Sequence, residues 1–262
     1  MPRVRLDQLL VERGLAPSRA AAQAMLLAGE VELEGRGRSL KPGNLVPTDA
    51  QLTIRQRPRW ASRAGDKLAA ALDAFGIDAA GVIALDAGAS TGGFTDVLLA
   101  RGASRVYAVD VGRAQLLDRI RRDPRVVSME RTNLRTLEAL PEPVQLATLD
   151  LSFISLRLVL SAVRKLLTPN GTLIALVKPQ FEAGKGSIPR GGVIRDPAIH
   201  ASVLMQFAVD AAAAGFGIIG LMRSPITGTD GNIEFLAHLA GPPGTAPEAL
   251  EQRIGVLTAP SA

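Results

Sequence analysis

VIALDAGASTGGF, residues 82–94, decides how the rest of the chain is read. Four uncharged residues of strand type lead to Asp86, three glycines follow at 88, 92 and 93, and a helix-forming stretch begins at once. A buried strand that turns sharply into a helix is the opening of an open α/β sheet. Working outward, the pattern alternates. A helix over 64–75 precedes this strand (82–88), helix 92–101 precedes strand 105–111, and helix 113–121 precedes strand 126–130. Strand 144–151, helix 156–167, strand 172–177 and helix 197–214 continue it, and strands 216–222 and 233–239 close it. Apolar strands separated by helices give a parallel sheet covered on both faces. The last two strands have no helix between them and are expected to pair antiparallel, completing a seven-stranded, mostly parallel sheet.

The glycine spacing is not the G-x-G-x-x-G of dinucleotide binders. An acid leading into G-x-x-x-G-G suits S-adenosylmethionine, which has no pyrophosphate to cradle. Gly88, Gly92 and Gly93 let the backbone turn tightly and approach a ligand, with Ser90 and Thr91 between them. Asp110 ends the next strand, 24 residues after Asp86, where a carboxylate holds ribose hydroxyls. Asn133, just past the third strand, is placed to face the adenine. Asp86, Gly88, Ser90, Thr91, Gly92, Gly93, Asp110 and Asn133 are therefore the expected cofactor residues, and the fold expected is a Rossmann-like class I methyltransferase.

Ligands of open α/β sheets sit at the carboxyl ends of the parallel strands. Asp150 lies near the end of the fourth strand and Lys178 directly follows the fifth. Glu234 opens the final, antiparallel strand and Lys67 opens the helix feeding the first, so both reach the same rim. Two lysines and two carboxylates suit methylation of a ribose 2′-hydroxyl, which must lose its proton as it attacks. An ordinary lysine is protonated at neutral pH, whereas a neighbouring ammonium and partial desolvation make one usable as a base. The expected roles are Lys178 as base, Lys67 as its electrostatic partner, and Asp150 and Glu234 as orienters. Nitrogen methylation of a base often uses Asn-Pro-Pro-Tyr after the fourth strand, and Asp150-Leu151-Ser152-Phe153 is not that.

The N-terminal quarter has a different character. Residues 1–63 hold 11 Lys and Arg against 6 Asp and Glu, while the remainder has 19 of each. The whole excess of +5 therefore sits there, an asymmetry expected of a nucleic-acid-binding module. Leu6, Leu9, Leu10 and Leu15 form one apolar helical face stopped at Gly14, and Ser18 caps a second helix ending at Gly29. Short strands at 31–33 and 52–54 flank a turn-rich stretch with Gly35, Gly37, Pro42, Gly43 and Pro47. RQRPRWASR (55–63) then reads as a linker, either a solvated tether with Trp60 packed at the junction or a segment touching RNA. The expected domains are 1–55 for RNA binding, 56–63 as linker and 64–262 for catalysis. Arg3, Arg5, Arg19, Arg36, Arg59, Trp60 and Arg63 are candidate RNA contacts. So is Lys185, in a Gly-rich loop (179–197, with Arg190) that either closes over RNA or is an ordinary surface loop.

Composition closes other routes. There is no cysteine, and only two histidines, His200 and His238, so no metal centre is expected. Arg3, Arg5 and Asp7 interrupt any opening apolar run, and uncharged runs such as 211–222 fall short of the ~20 residues a membrane span needs. A soluble, cytoplasmic protein with no obligatory protein partner is the expectation.

LDQLLVERG (6–14) and SRAAAQAMLLAGEVELEG (18–35) resemble the RNA-binding module named after a small-subunit ribosomal protein and found in pseudouridine synthases. WASRAGDKL, DAGASTGGF, LDLSFISL, VKPQFEAGKG, GGVIRDP and SPITGTDGNIEFL together resemble the TlyA family, also called hemolysin A. That family shares the catalytic domain of FtsJ-like ribose methyltransferases, whose Lys-Asp-Lys-Glu tetrad falls on Lys67, Asp150, Lys178 and Glu234. The resemblance implies 2′-O-methylation of cytidine in ribosomal RNA, in the 23S and also the 16S molecule in some members, with S-adenosylmethionine as cofactor. It also implies sensitisation of ribosomes to capreomycin-type antibiotics. The linker departs from the family's Arg-Ala-Trp-Val, reading Arg57-Pro58-Arg59-Trp60-Ala61. Two other classes stay open at this point, a membrane-active hemolysin and a non-catalytic RNA-binding protein.

Overall fold

The computed structural model describes residues 2–27, 31–33, 40–54, 59–113, 115–184, 189, 191–228 and 231–259. The chain divides into two compact units, Met1–Arg59 and Trp60–Ala262. The division falls inside the segment read as a linker.

In the smaller unit, helices α1 (Leu6–Glu12) and α2 (Arg19–Leu27) pack together through Leu6, Leu9, Leu10, Ala22 and Leu26. The i, i+3, i+4 spacing of the three leucines gives α1 its single apolar stripe. Strand β2 (Val31–Leu33) pairs antiparallel with β4 (Leu52–Ile54), as the sequence suggests. A second pair, β1 (Arg3–Arg5) with β3 (Leu45–Pro47), is not legible beforehand. Three residues hold too little alternation to read, yet they seat Val46 in the core. Asp7 is fully buried and accepts hydrogen bonds from Arg5 Nε and Nη2 (3.0 and 2.9 Å), Arg19 Nε (3.1 Å) and Gln23 Nε2 (3.0 Å). The Arg5 guanidinium, then Gln23 and Arg19, hold the Asp7 carboxyl well below the usual carboxylate range against the opposing effect of burial.

The larger unit is built on one sheet in the order β10-β11-β9-β8-β5-β6-β7. Its strands are β5 (Ile83–Ala87), β6 (Arg105–Val109), β7 (Val126–Met129), β8 (Val144–Leu149), β9 (Leu167–Val177), β10 (Gly217–Arg223) and β11 (Phe235–Ala240). β11 runs antiparallel to both neighbours, and β7, β6, β5, β8 and β9 are parallel. Alternate strand residues feed two cores. Ala84, Val106, Leu146, Ile174 and Leu236 meet α3 (Ala64–Phe75) and α4 (Gly93–Ala100). Leu85, Tyr107, Leu173 and Phe235 meet α6 (Leu160–Leu166), α8 (Pro197–Ala213) and α9 (Pro247–Thr258). The sheet is therefore buried on both faces, which is why its strands read as apolar runs.

Two differences from the sequence reading stand out. The helix expected over 113–121 is only one turn, α5 (Asp118–Arg121); the chain before it folds back on Asp110, whose Oδ1 accepts from Gly112 N (2.7 Å). Helix α9 was not expected, although Pro247 at its first turn and Leu250 and Ile254 on one face are its signals. Beside β10, the outer strand, Thr245 N and Arg253 Nε donate to the carbonyls of Ile218 (2.7 Å) and Leu221 (2.8 Å). Trp60 is buried against α3, where a Cβ on Gly65 would lie 2.4 Å from the indole. No described helix is long and apolar enough to cross a membrane.

Replacing Asp7 with Asn weakens all four hydrogen bonds of the smaller unit's buried network. Amide exchange across α1 and α2 is expected to rise by about tenfold, while the larger unit's sheet is unaffected. Equal exchange in variant and wild type would show that the network contributes no stability.

Candidate active site

β5 and β8 are parallel neighbours, with Ala87 opposite Leu149, and both strands leave the sheet at the same rim. There the glycine turn lies directly on the chain leaving β8: a Cβ on Gly88, whose φ is +83°, would stand 2.4 Å from the Asp150 carbonyl oxygen. Ser90 adopts a left-handed φ of +45°, a conformation that persists only where surroundings over-determine it. Here the constraint is Asp110, whose Oδ2 accepts from Ser90 N (2.8 Å). With Gly112 N on the other oxygen, each oxygen of Asp110 keeps a lone pair for a ribose hydroxyl. Asp110, Val111, Asn133 and Leu134 line a cavity of about 310 Å³. Asn133 also caps the short 3₁₀ turn Leu134–Thr136 by accepting from Arg135 N (3.0 Å).

A second cavity, about 280 Å³, shares Gly88, Ser90, Asp150 and Ser152 with the first. Thr91 and Gly93 line this half. One half thus offers apolar walls and a carboxylate, and the other the charged groups described next. Residues in this arrangement fit S-adenosylmethionine, with the nucleoside toward Asp110 and the reacting end toward the charges.

Asp86 and Gly92 differ from the expectation of direct cofactor contact. Asp86 is fully buried and lines neither cavity; its carboxyl accepts from Thr95 Oγ1 (2.6 Å) on α4 and Thr148 Oγ1 (3.1 Å) on β8. Burial pushes it up to about 6, against the two threonines. A Cβ on Gly92 would meet Ile120 and Leu116, so that glycine faces the interior.

Lys67, Asp150, Lys178 and Glu234 all line the second cavity. Lys67, in the first turn of α3, is hydrogen-bonded to the carboxylate of Glu234, the residue before β11. Lys178 follows β9, and its Nζ lies 2.6 Å from Asp150 Oδ1 and donates to Ser152 Oγ (3.0 Å). Both lysines are 7 % exposed and Glu234 is 3 % exposed. Each buried ammonium has its own carboxylate, which offsets the desolvation that an unpaired charge would suffer. Ser152 was not anticipated; its only signal is its position two residues beyond Asp150.

The expected RNA contacts are dispersed. Arg3 is exposed on β1, and Arg5 and Arg19 are fixed to Asp7 in the smaller unit. Arg59 is exposed at that unit's end, and Arg63 lines the charged cavity. Trp60, being buried, leaves no open ring face for stacking on a base. Arg36 and Lys185 lie outside the described residues, as do Gly29, Gly186 and Arg190.

A carboxyl raised to about 6 binds its proton more tightly in the folded chain than in the unfolded one, where its value is near 3.9. Its contribution to stability is full below about pH 4 and is lost as pH rises through 6. Between pH 4 and 7.5 wild type should therefore lose on the order of 2–3 kcal/mol relative to Asp86→Asn in urea unfolding. A difference independent of pH would place the raised carboxyl elsewhere.

The FtsJ-like methyltransferase family matches residues 60–240, and the S4 domain matches residues 4–37. The chain is 49% identical over 245 residues to the Bacillus subtilis protein YqxC, covering 91% of this chain and 86% of that one. It is 46% identical over 241 residues to the Mycobacterium tuberculosis 16S/23S rRNA (cytidine-2′-O)-methyltransferase TlyA, covering 90% of each. The solved structure of a Streptococcus thermophilus protein known under the hemolysin name superposes with a TM-score of 0.74 at 41% identity, over 98% of this chain and 96% of that one. With the glycine turn and paired lysines inside the matched region, the chain belongs to the FtsJ-like methyltransferase family and carries an N-terminal S4 domain.

Proposed function

We propose that this protein methylates the 2′-hydroxyl of a cytidine ribose in ribosomal RNA, in the 23S molecule and in the 16S molecule as a second target. The observation that carries the reading is Lys178, held by Asp150 and Ser152 in a cavity that continues into the glycine turn. The name borne by the relative at 46% identity supports the substrate.

Bound S-adenosylmethionine supplies a methyl group on a positively charged sulfur. Transfer of that methyl to O2′ requires the hydroxyl proton to leave, and Lys178 Nζ is the base assigned to take it. Asp150 and Ser152 fix where that nitrogen stands, so the hydroxyl has one direction in which to lose its proton. Lys67, anchored by Glu234, faces the same cavity and stabilises negative charge developing on O2′. Arg3, Arg5, Arg19, Arg59 and Arg63 are assigned to phosphates, and the cytoplasm, where ribosomal subunits are found, is the assigned location.

The test is transfer of labelled methyl from S-adenosylmethionine to unmodified subunits. Label resistant to alkaline cleavage at one ribose of each subunit is expected with wild type, with the rate lowered by about 10²–10⁴ in Lys178→Ala. No transfer to either subunit or to intact ribosomes, with cofactor binding measured in the same preparation, overturns the substrate. The hemolysin name carried by a solved relative makes red-cell lysis by detergent-free protein the companion assay, and no lysis is expected.

A further inference from the structure

Two loops leave the rim side by side, because β8 and β9 are parallel neighbours. The first runs from Asp150 to Ser155, and the second begins at Lys178 and continues into α7 (Pro179–Glu182). At the β8 end they are joined by Lys178, bonded to Asp150 and Ser152. They are joined again further out: Glu182 Oε2 accepts from Ser155 Oγ (2.6 Å), and its Oε1 accepts from Leu156 N (2.9 Å). Between the two ties sits Phe153, with a left-handed φ of +63° and 91% exposure, its ring 5.2 Å from that of Phe181 in α7.

A bulky residue in that conformation is strained and persists only where both sides of it are held. Exposure this high means that packing of its own side chain supplies little of the restraint. Burial pushes the Glu182 carboxyl up. A carboxylate is costly in such a place unless its oxygens are occupied, and the two donors of the first loop occupy them. The Phe181 ring, one residue before Glu182, also lies 5.9 Å from Lys178 Nζ.

We propose that Glu182 is a positioning residue for methyl transfer, latching the loop after β8 to the turn after β9 so that Ser152 and Asp150 stay on Lys178. The inference rests on the ribose-methyltransferase reading for its kinetic consequence, and on geometry alone for its structural one. Without the latch the strained stretch relaxes and Ser152 moves off the amine, while Ser90 N stays on Asp110 at the other side of the cofactor cavity.

The full chain carrying Glu182→Ala tests this. The value of kcat on unmodified subunits is expected to fall about 10- to 30-fold, with KM for subunits and Kd for S-adenosylmethionine within about 3-fold of wild type. Glu182→Gln, which keeps an acceptor oxygen, should recover most of the loss, and hydrogen exchange at the Leu156 amide should accelerate at least tenfold in Glu182→Ala. If Glu182→Ala does not fold, Ser155→Ala removes one of the two bonds, with a smaller fall in kcat expected and the same direction at Leu156. Unchanged kcat and unchanged Leu156 exchange in a folded variant overturn the latch, as does a loss shared equally by cofactor binding. If wild type transfers no methyl, the functional reading fails, and exchange at Leu156 still decides whether the latch exists.

Discussion

Asp86 is out of solvent, and its carboxyl group is held by Thr95 from α4 and Thr148 from β8. Three elements of the larger unit thus meet on one carboxyl directly behind the glycine turn. A buried polar group that is fully hydrogen-bonded ties its partners down, because any separation leaves an unsatisfied group in a dry place. The turn can then lie against the backbone at Asp150 without drifting, and Ser90 can stay in its strained conformation with its N–H on Asp110. The position of the glycine turn depends on that arrangement. Asp86 acts on the site from behind it.

The charged half is organised on a different principle. It has two lysines and two carboxylates, sorted into two pairs, Lys67 with Glu234 and Lys178 with Asp150. Paired charges tolerate burial far better than single ones, and pairing also fixes the direction of each amine. Orientation is what transfer of a methyl group requires of the protein, since the reacting bond is carried by the cofactor. Ser152 adds a neutral partner on Lys178 that can hold the nitrogen in either protonation state, as acceptor or as donor.

Much of this was legible in the sequence, for reasons that can be named. The glycine turn and Asp110 are short-range signals tied to one strand-turn-helix, and a parallel sheet puts strand ends on one rim whatever the loops do. The positions of Lys67, Asp150, Lys178 and Glu234 followed from strand direction alone. What escaped depends on contacts between distant loops. Ser152 and Glu182 make theirs across 26 or 27 residues, with no periodicity to betray them. Asp86 was misread as a ligand because its motif shows that an acid is required, but not which way it points. For Trp60 the sequence allows both a packed ring and an RNA contact; the ring is packed on Gly65.

The bond between Lys67 and Glu234 spans 167 residues, and β11, which Glu234 precedes, is inserted between β9 and β10. A chain emerging from the ribosome makes its smaller unit first and could carry a finished RNA-binding module well before residue 234 is joined to it. Until the last strand is in place, Lys67 lacks its carboxylate and the charged cavity has no closing wall. The charged cavity is therefore completed in one late step of synthesis, and a chain cut short before residue 234 has the lysine without its carboxylate.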